Sequence, residues 1–331
     1  MGILYLTEPG VFVRKETGCI QISKDKTELL RKPLGQISAL VVYPGVQISS
    51  NLMNYCLASG ISITYISGSG RILGRAQPMS SLNIIRQKQQ FIRADDEQFC
   101  LLIARKLIEA KIRNSRTVIR EFARYQSASI DLETDALSDC IKQVNTAGSI
   151  EGIMGIEGSA AKSYFRALSR LTHPEFRFNG RSRNPPRDPF NAMLSYGYML
   201  LFNDILTILQ IHGLHSYVGF LHQLRNGHPA LVSDLMEEWR PILVDSFCMH
   251  LVNRRTFKTT DFNSENGGVY LSKDQAKIYL ERYEERIKKI HLNDEQKVEF
   301  NYRTQLENQV LLLVKSIEEN DPSIYVPFLI R

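Results

Sequence analysis

The spacing of apolar residues changes once along this chain, near Pro78, and that change calls for two domains of different class. Residues 1–78 run as short β-branched segments between turn residues. Ile3-Leu4-Tyr5-Leu6 meets the Pro9-Gly10 turn and Val11-Phe12-Val13 follows; Thr17-Gly18 then reverses the chain into Cys19-Ile20-Gln21-Ile22. Leu40-Val41-Val42-Tyr43, the run 61–66 and Arg71-Ile72-Leu73-Gly74 continue the pattern. Turn signals at roughly eight- to twelve-residue intervals predict a small β-sandwich or rolled sheet. One helix interrupts it over 49–58, with Ser49 or Ser50 as N-cap.

Past Pro78 glycine and proline thin out, and three-to-four spacing takes over, as in Phe99, Leu102, Ile103, Leu107 and Ala110. Long amphipathic helices are predicted from about Leu82 to Gln143, then over 158–171, 189–213, 231–252, 273–289 and 303–319. The expected class is α+β: a β-rich domain over 1–78, a linker at 79–85 and an all-α domain over 86–331. A chain of 331 residues has length for both. No internal repeat or low-complexity stretch is present.

An apolar share of 43% with 23% charged residues excludes a disordered chain. The five cysteines are scattered and form no C-x-x-C pair, which argues against a disulfide framework or a zinc knuckle. The start lacks a secretory pattern, and no uninterrupted apolar run approaches about 18 residues. A cytoplasmic protein with no membrane span is therefore expected. The formal charge of +6 suits a nucleic-acid partner without selecting one.

Two basic features sharpen that. Arg113, Arg116, Arg120 and Arg124 recur at helical spacing, either as a solvated face or as a surface that tracks phosphates. The segment from Arg177 to Arg187 places Arg177, Arg181, Arg183 and Arg187 in a Gly- and Pro-containing loop without an acid. Like charges so close together gain little from one another, so an anionic partner is expected.

Three segments carry candidate chemistry. Gly155-Ile156-Glu157-Gly158-Ser159 sets a carboxylate among small residues near an expected helix start, where it would also suit the helix dipole. His222 ends the run Val218-Gly219-Phe220-Leu221, although His212, His215 and His228 compete with it on spacing. In Ser233-Asp234-Leu235-Met236-Glu237-Glu238, Asp234 lies one turn from both Glu237 and Glu238, so spacing does not choose between them. Two carboxylates and an imidazole make a mixed oxygen and nitrogen donor set suited to Mg²⁺ or Mn²⁺.

At these residues the sequence resembles the CRISPR-associated integrases of spacer acquisition, the first of the Cas protein families. The resemblance runs through Leu52…Cys56…Gly60-Ile61, Gly70-Arg71…Gly74, Arg86-Gln87 and Glu157…Ala161…Tyr164-Phe165. It continues through Asp188-Pro189…Asn191-Ala192-Met193-Leu194 and Gly219-Phe220-Leu221-His222, and ends with Asp234-Leu235-Met236-Glu237, Arg240-Pro241 and Asp245. It implies metal ligands at Glu157, His222 and Glu237, with Asp234 in support, and so selects among the open alternatives. The helical half is most similar to members from type I systems.

The resemblance further implies a metal-dependent DNA integrase and endonuclease. In its reaction a 3′-hydroxyl of the incoming DNA attacks a phosphodiester at the end of a CRISPR repeat, with Lys162, Tyr164 and Arg240 as candidate DNA contacts. It implies a homodimer formed through the β-domains, two of which join the small second Cas protein in a heterohexamer on double-stranded protospacer and repeat DNA. Without the resemblance, the same residues suit a non-catalytic DNA-binding scaffold or a structure-specific repair nuclease.

Overall fold

A computed structural model describes residues 2–67, 72–79, 83–293 and 298–330. Expectations for Gly70, Arg71, Leu82 and linker positions 80–82 fall outside these residues. The chain forms two compact units. One comprises Met1–Ile85 with Thr207–Leu214, and the other Arg86–Leu206 with His215–Arg331. A helix already begins at Ile84, inside the expected linker over 79–85, and that 207–214 groups with the first unit has no sequence signal.

In the first unit, β1 (Ile3–Leu6), β2 (Phe12–Glu16), β3 (Cys19–Lys24), β4 (Thr27–Pro33), β5 (Ala39–Val42), β6 (Gln47–Ile48), β7 (Ser62–Ile66) and β8 (Ile72–Ala76) form two four-stranded sheets, β1-β5-β7-β8 and β4-β3-β2-β6. Strands β1, β5 and β7 run parallel, and helix α1 (Ser50–Ala58) is the crossover from β5 to β7. The unbroken apolar run of β5 suits a strand buried on both faces, which it is. Val13 and Ile20 of one sheet, Leu40 and Ile63 of the other, and Leu52 and Cys56 of α1 share one core. Ser49 caps α1 by accepting from the Leu52 N–H at 3.3 Å. Strands β4 and β6 were not foreseen.

The second unit is built on α2 (Ile84–Ala94) from Arg86 onward, α3 (Glu97–Gln126), α4 (Asp131–Thr146), α5 (Ile150–Leu171), α6 (Pro189–Ile211) as far as Leu206, α7 (Ala230–Trp239), α8 (Ser246–Asn253), α9 (Lys273–Lys288) and α10 (Tyr302–Glu319). Helices α7 and α8 are joined by a π-helical turn over Arg240–Asp245. Pro241 has no N–H to donate one turn back, so the expected single helix over 231–252 widens there. Within this turn the Ile242 carbonyl accepts from Arg286 and from the Ser246 hydroxyl, both at 2.7 Å. Two short hairpins interrupt the helices: β9 (Phe262–Glu265) with β10 (Gly268–Leu271), and β11 (His291–Asn293) with β12 (Val298–Phe300). Asn266 and Gly267, both at positive φ, make the first turn, a signal readable in the sequence. By length and composition α6 alone among the described helices suffices to cross a membrane, but 72% of its most apolar window is buried inside the protein.

Candidate active site

Helix α3 supplies the floor of the site. Its inner stripe, Leu107, Lys111, Asn114, Ser115 and Val118, carries polar groups among apolar ones. Lys111 reaches between two other helices: its ammonium contacts Glu157 Oε1 of α5 and lies 2.5 Å from Glu237 Oε2 of α7. Helix α5 begins seven residues before Glu157, capped by Ser149, which accepts from the Gly152 N–H at 3.1 Å. Glu157 is thus past the first turn, and service to the helix dipole is not its role. Chain neighbours and the helix's own backbone aside, no atom of the described residues lies within 4 Å of where a Cβ would stand on Gly155 or Gly158, so these glycines leave open space beside Glu157.

The Glu237 side chain is only 7% exposed. Burial pushes its pKa up, but Arg240, whose guanidinium is 3.5 Å away, and then Lys111 pull it down to about 2. It is therefore a carboxylate at any physiological pH. Its neighbour Glu238 points the other way. There it accepts from the Tyr325 hydroxyl at 2.8 Å and the Phe328 N–H at 3.1 Å, and burial raises its pKa to about 8. Glu238 is committed to holding the C-terminal segment, so geometry makes the choice that spacing left open.

Asp234, fully buried, organises the loop that carries His222. It accepts from the backbone N–H groups of Phe220 at 2.6 Å, Leu221 at 3.0 Å and His222 at 3.0 Å, and its Oδ1 lies 2.7 Å from His222 Nδ1. Gly219 permits this, because a Cβ there would meet Asp234 Oδ2 at 2.5 Å. Gln90 of α2 ties the preceding turn, donating to the carbonyls of His215 at 2.9 Å and Val218 at 2.7 Å. Burial lowers the pKa of His222, but the hydrogen bond and charge of Asp234 outweigh it, and the net shift is upward. With Nδ1 engaged, Nε2 is the nitrogen left for a ligand. Of its competitors, His228 stacks edge-on to His222 with ring centroids 5.9 Å apart, His215 packs against Phe91, and His212 belongs to the other compact unit.

Beside the carboxylates lies a cavity of about 40 Å³ whose lining includes Lys111, Glu157, Arg181, Arg183, Tyr198 and Arg240. Tyr198 of α6 is its organiser: the guanidinium carbons of Arg181 and Arg240 lie 5.3 Å and 4.9 Å from its ring centre. Beneath it Asp245 accepts from the hydroxyls of Tyr198 at 2.5 Å and Tyr164 at 2.9 Å. Burial raises the pKa of Asp245 to about 6 despite these bonds and the two arginines. Tyr164 is thus a buried wall of the cavity with its hydroxyl spent on Asp245, not a surface contact.

The arginine loop is more ordered than its composition suggested. Arg181 donates to Asn191 Oδ1 at 2.8 Å and Ser195 Oγ at 2.9 Å, and Asn191 in turn holds the Gly180 carbonyl at 3.0 Å. Part of the expected surplus charge is therefore used internally, while Arg183, Arg187 and Lys162 are exposed. In the stripe on α3, Arg113 pairs with Glu109 at 2.6 Å and Arg116 donates to Ser138 at 2.9 Å; Arg120 and Arg124 are exposed.

Among the described residues, no three His, Cys, Asp or Glu side chains are gathered closely enough to hold a metal ion. The donors nevertheless suit one, because Glu157 and Glu237 already converge on a single cation, the Lys111 ammonium. Lys111, Tyr198 and Gln90 were not singled out for the site from the sequence. The signal for Lys111 was a charged residue on the apolar stripe of α3.

A helical unit with paired carboxylates, an oriented imidazole and an arginine-lined cavity defines a candidate site for phosphate-ester chemistry. The chain belongs to the Cas1 family: the family model described as CRISPR associated protein Cas1 matches residues 4–285. It is 32% identical over 333 residues to the CRISPR-associated endonuclease Cas1 3 of Thermus thermophilus, covering 100% of this chain and 98% of that one. A Cas4 exonuclease/Cas1 endonuclease fusion of Geobacter sulfurreducens is 31% identical over 337 residues, with 99% of this chain covered but only 60% of the fusion's length. Among solved structures, the fold is similar to a casposase bound to an integration product (TM-score 0.83, 22% identity, 100% of this chain and 96% of that one). It is also similar to a chain of a Cas6-RT-Cas1–Cas2 complex (TM-score 0.84, 24% identity, 99% of this chain and 36% of that one).

Proposed function

We propose that this chain is a metal-dependent DNA integrase and endonuclease that joins new spacers to a CRISPR array. The observation that carries this reading is the convergence of Glu157 and Glu237 on one cation, the Lys111 ammonium; Asp234 separately holds the ring of His222. Glu157, Glu237 and His222 Nε2 would hold Mg²⁺ or Mn²⁺, which when bound withdraws charge from a phosphoryl oxygen and lowers the pKa of a hydroxyl. Membership of the Cas1 family and the printed names of its endonuclease relatives support a nuclease or integrase.

The protein's own groups do the rest. Asp234 fixes the His222 tautomer and ring plane. Arg181, Arg183 and Arg240 offer positive charge where a phosphodiester would enter, and Tyr198 keeps two of them in register. Exposed Arg187, Lys162, Arg120 and Arg124 extend the basic surface for flanking phosphates. The reaction exchanges one phosphodiester for another, a 3′-hydroxyl displacing a 3′-oxygen, so positioning does most of the catalysis. We further propose that the chain works in the cytoplasm as a homodimer, and that two dimers assemble with the second Cas protein into a heterohexamer on protospacer and repeat duplexes. The likeness to a chain from a Cas1–Cas2 complex supports that partner.

A half-site joining assay on repeat-containing duplex, in Mn²⁺ or EDTA and with or without the second Cas protein, tests the proposal. Metal-dependent joining at repeat ends is expected. DNA binding without joining or cleavage would leave a scaffold, and cleavage indifferent to the repeat would leave a repair nuclease.

A further inference from the structure

We infer that Lys111 is a built-in competitor for the metal, and that its withdrawal couples metal loading to the arrival of a DNA phosphate. The inference rests on the proposed metal site of Glu157, His222 and Glu237.

Two carboxylates from different helices face one point, and the Lys111 ammonium occupies it. Close anions repel, so without that charge Glu157 and Glu237 would separate or draw in another cation. A lysine whose side chain is only 16% exposed is in turn held there by its partners, because burial of an unpaired ammonium is costly. The lysine therefore keeps the ligands assembled in the metal-free protein, and it must leave before a divalent ion can take the same oxygens.

Its destination is constrained. The cavity next to Lys111 is lined by Arg181, Arg183 and Arg240. Three guanidiniums there outnumber the Glu157 and Asp245 carboxylates that also line it, so a fourth cation swung into that space is repelled while no phosphate is bound. A phosphodiester seated there reverses the sign, giving the withdrawn ammonium a partner. The lysine thus makes metal affinity low in free protein and higher on DNA, a coupling that runs equally in both directions.

The test is equilibrium Mn²⁺ binding to the full chain, read as free Mn²⁺ by electron paramagnetic resonance, with and without a short duplex. Lys111→Gln removes the competitor and should bind Mn²⁺ about tenfold more tightly than wild type without DNA, as expected when the competent state is a minor one. Duplex should tighten Mn²⁺ binding by a larger factor in wild type than in the variant. If K111Q does not fold without metal, Lys111→Arg answers instead: its longer, two-pronged cation should weaken Mn²⁺ binding several-fold, and equal or tighter binding overturns the inference. K111Q binding no tighter than wild type, while Glu157→Gln loses binding, overturns the inference and leaves the metal site standing. Equal Mn²⁺ binding by Glu157→Gln and wild type removes the metal site, and the inference with it.

Discussion

Asp234 Oδ1 lies 2.7 Å from His222 Nδ1, and the same carboxylate accepts three backbone N–H groups of the segment that carries the histidine. One buried side chain thus sets both the path of a loop and the orientation of a ring. Asp234→Ala leaves those donors unsatisfied and should cost about 3 kcal/mol in urea denaturation. Asp234→Asn keeps the shape and some acceptor capacity, so it should cost less while still reducing activity through a misdirected His222. Equal stability of D234A and wild type would remove Asp234 from this role.

The pair also sets a pH dependence. The folded pKa of His222 lies above its unfolded value of about 6.5, so the Asp234–His222 interaction stabilises fully below that value. The contribution is lost as pH rises through the folded pKa. Relative to wild type, His222→Gln should therefore be most destabilised at pH near 5 and less so at pH near 8, in metal-free buffer. A stability difference that grows with pH would contradict the sign.

Glu238 gives the opposite experiment on a neighbouring residue. Its pKa, raised to about 8 by burial, makes folding favour the protonated form, so wild-type stability should fall as pH rises from about 4.5 towards 8. Glu238→Gln imitates the neutral form and should gain on wild type over that window, on the order of 4 kcal/mol by its end. A pH-independent difference in thermal midpoint between the two would show that Glu238 does not titrate there.

Tyr198 separates arginine clamping from carboxylate support. Tyr198→Phe keeps the ring between Arg181 and Arg240 and loses only one bond to Asp245, so it should cost about 1 kcal/mol of stability and little DNA affinity. Tyr198→Ala removes the ring that both guanidiniums pack on, leaving Arg181 its bonds to Asn191 and Ser195 and Arg240 its pairing with Glu237, and should weaken duplex binding by roughly tenfold at fixed salt. Equal DNA affinity of Y198A and wild type in fluorescence anisotropy would mean that the clamp does not serve DNA.

The sequence carried the two-domain division because periodicity is a local signal: alternating β-branched runs before Pro78 and three-to-four spacing after it. It points to Glu157, His222 and Glu237 only through resemblance, because on spacing His212, His215, His228 and Glu238 are equal candidates. What separates Glu237 from Glu238 is where each side chain ends, one beside Lys111 and the other against Tyr325 and Phe328, and such contacts join residues about a hundred positions apart. The parallel pairing of β1, β5 and β7 and the ordering of Arg181 by Asn191 are long-range in the same sense. The Asn266-Gly267 turn, by contrast, is a local signal legible in the sequence.

Strand transfer in Mn²⁺ by purified Glu157→Gln, His222→Ala and Glu238→Gln proteins, each checked for folding by circular dichroism, tests the proposed site most directly. The first two should lose joining by at least about a hundredfold while still binding duplex, and E238Q, whose carboxyl faces the C-terminal segment, should retain it. Joining at wild-type rates by E157Q or H222A, or its loss in E238Q with the fold intact, would contradict the proposed site.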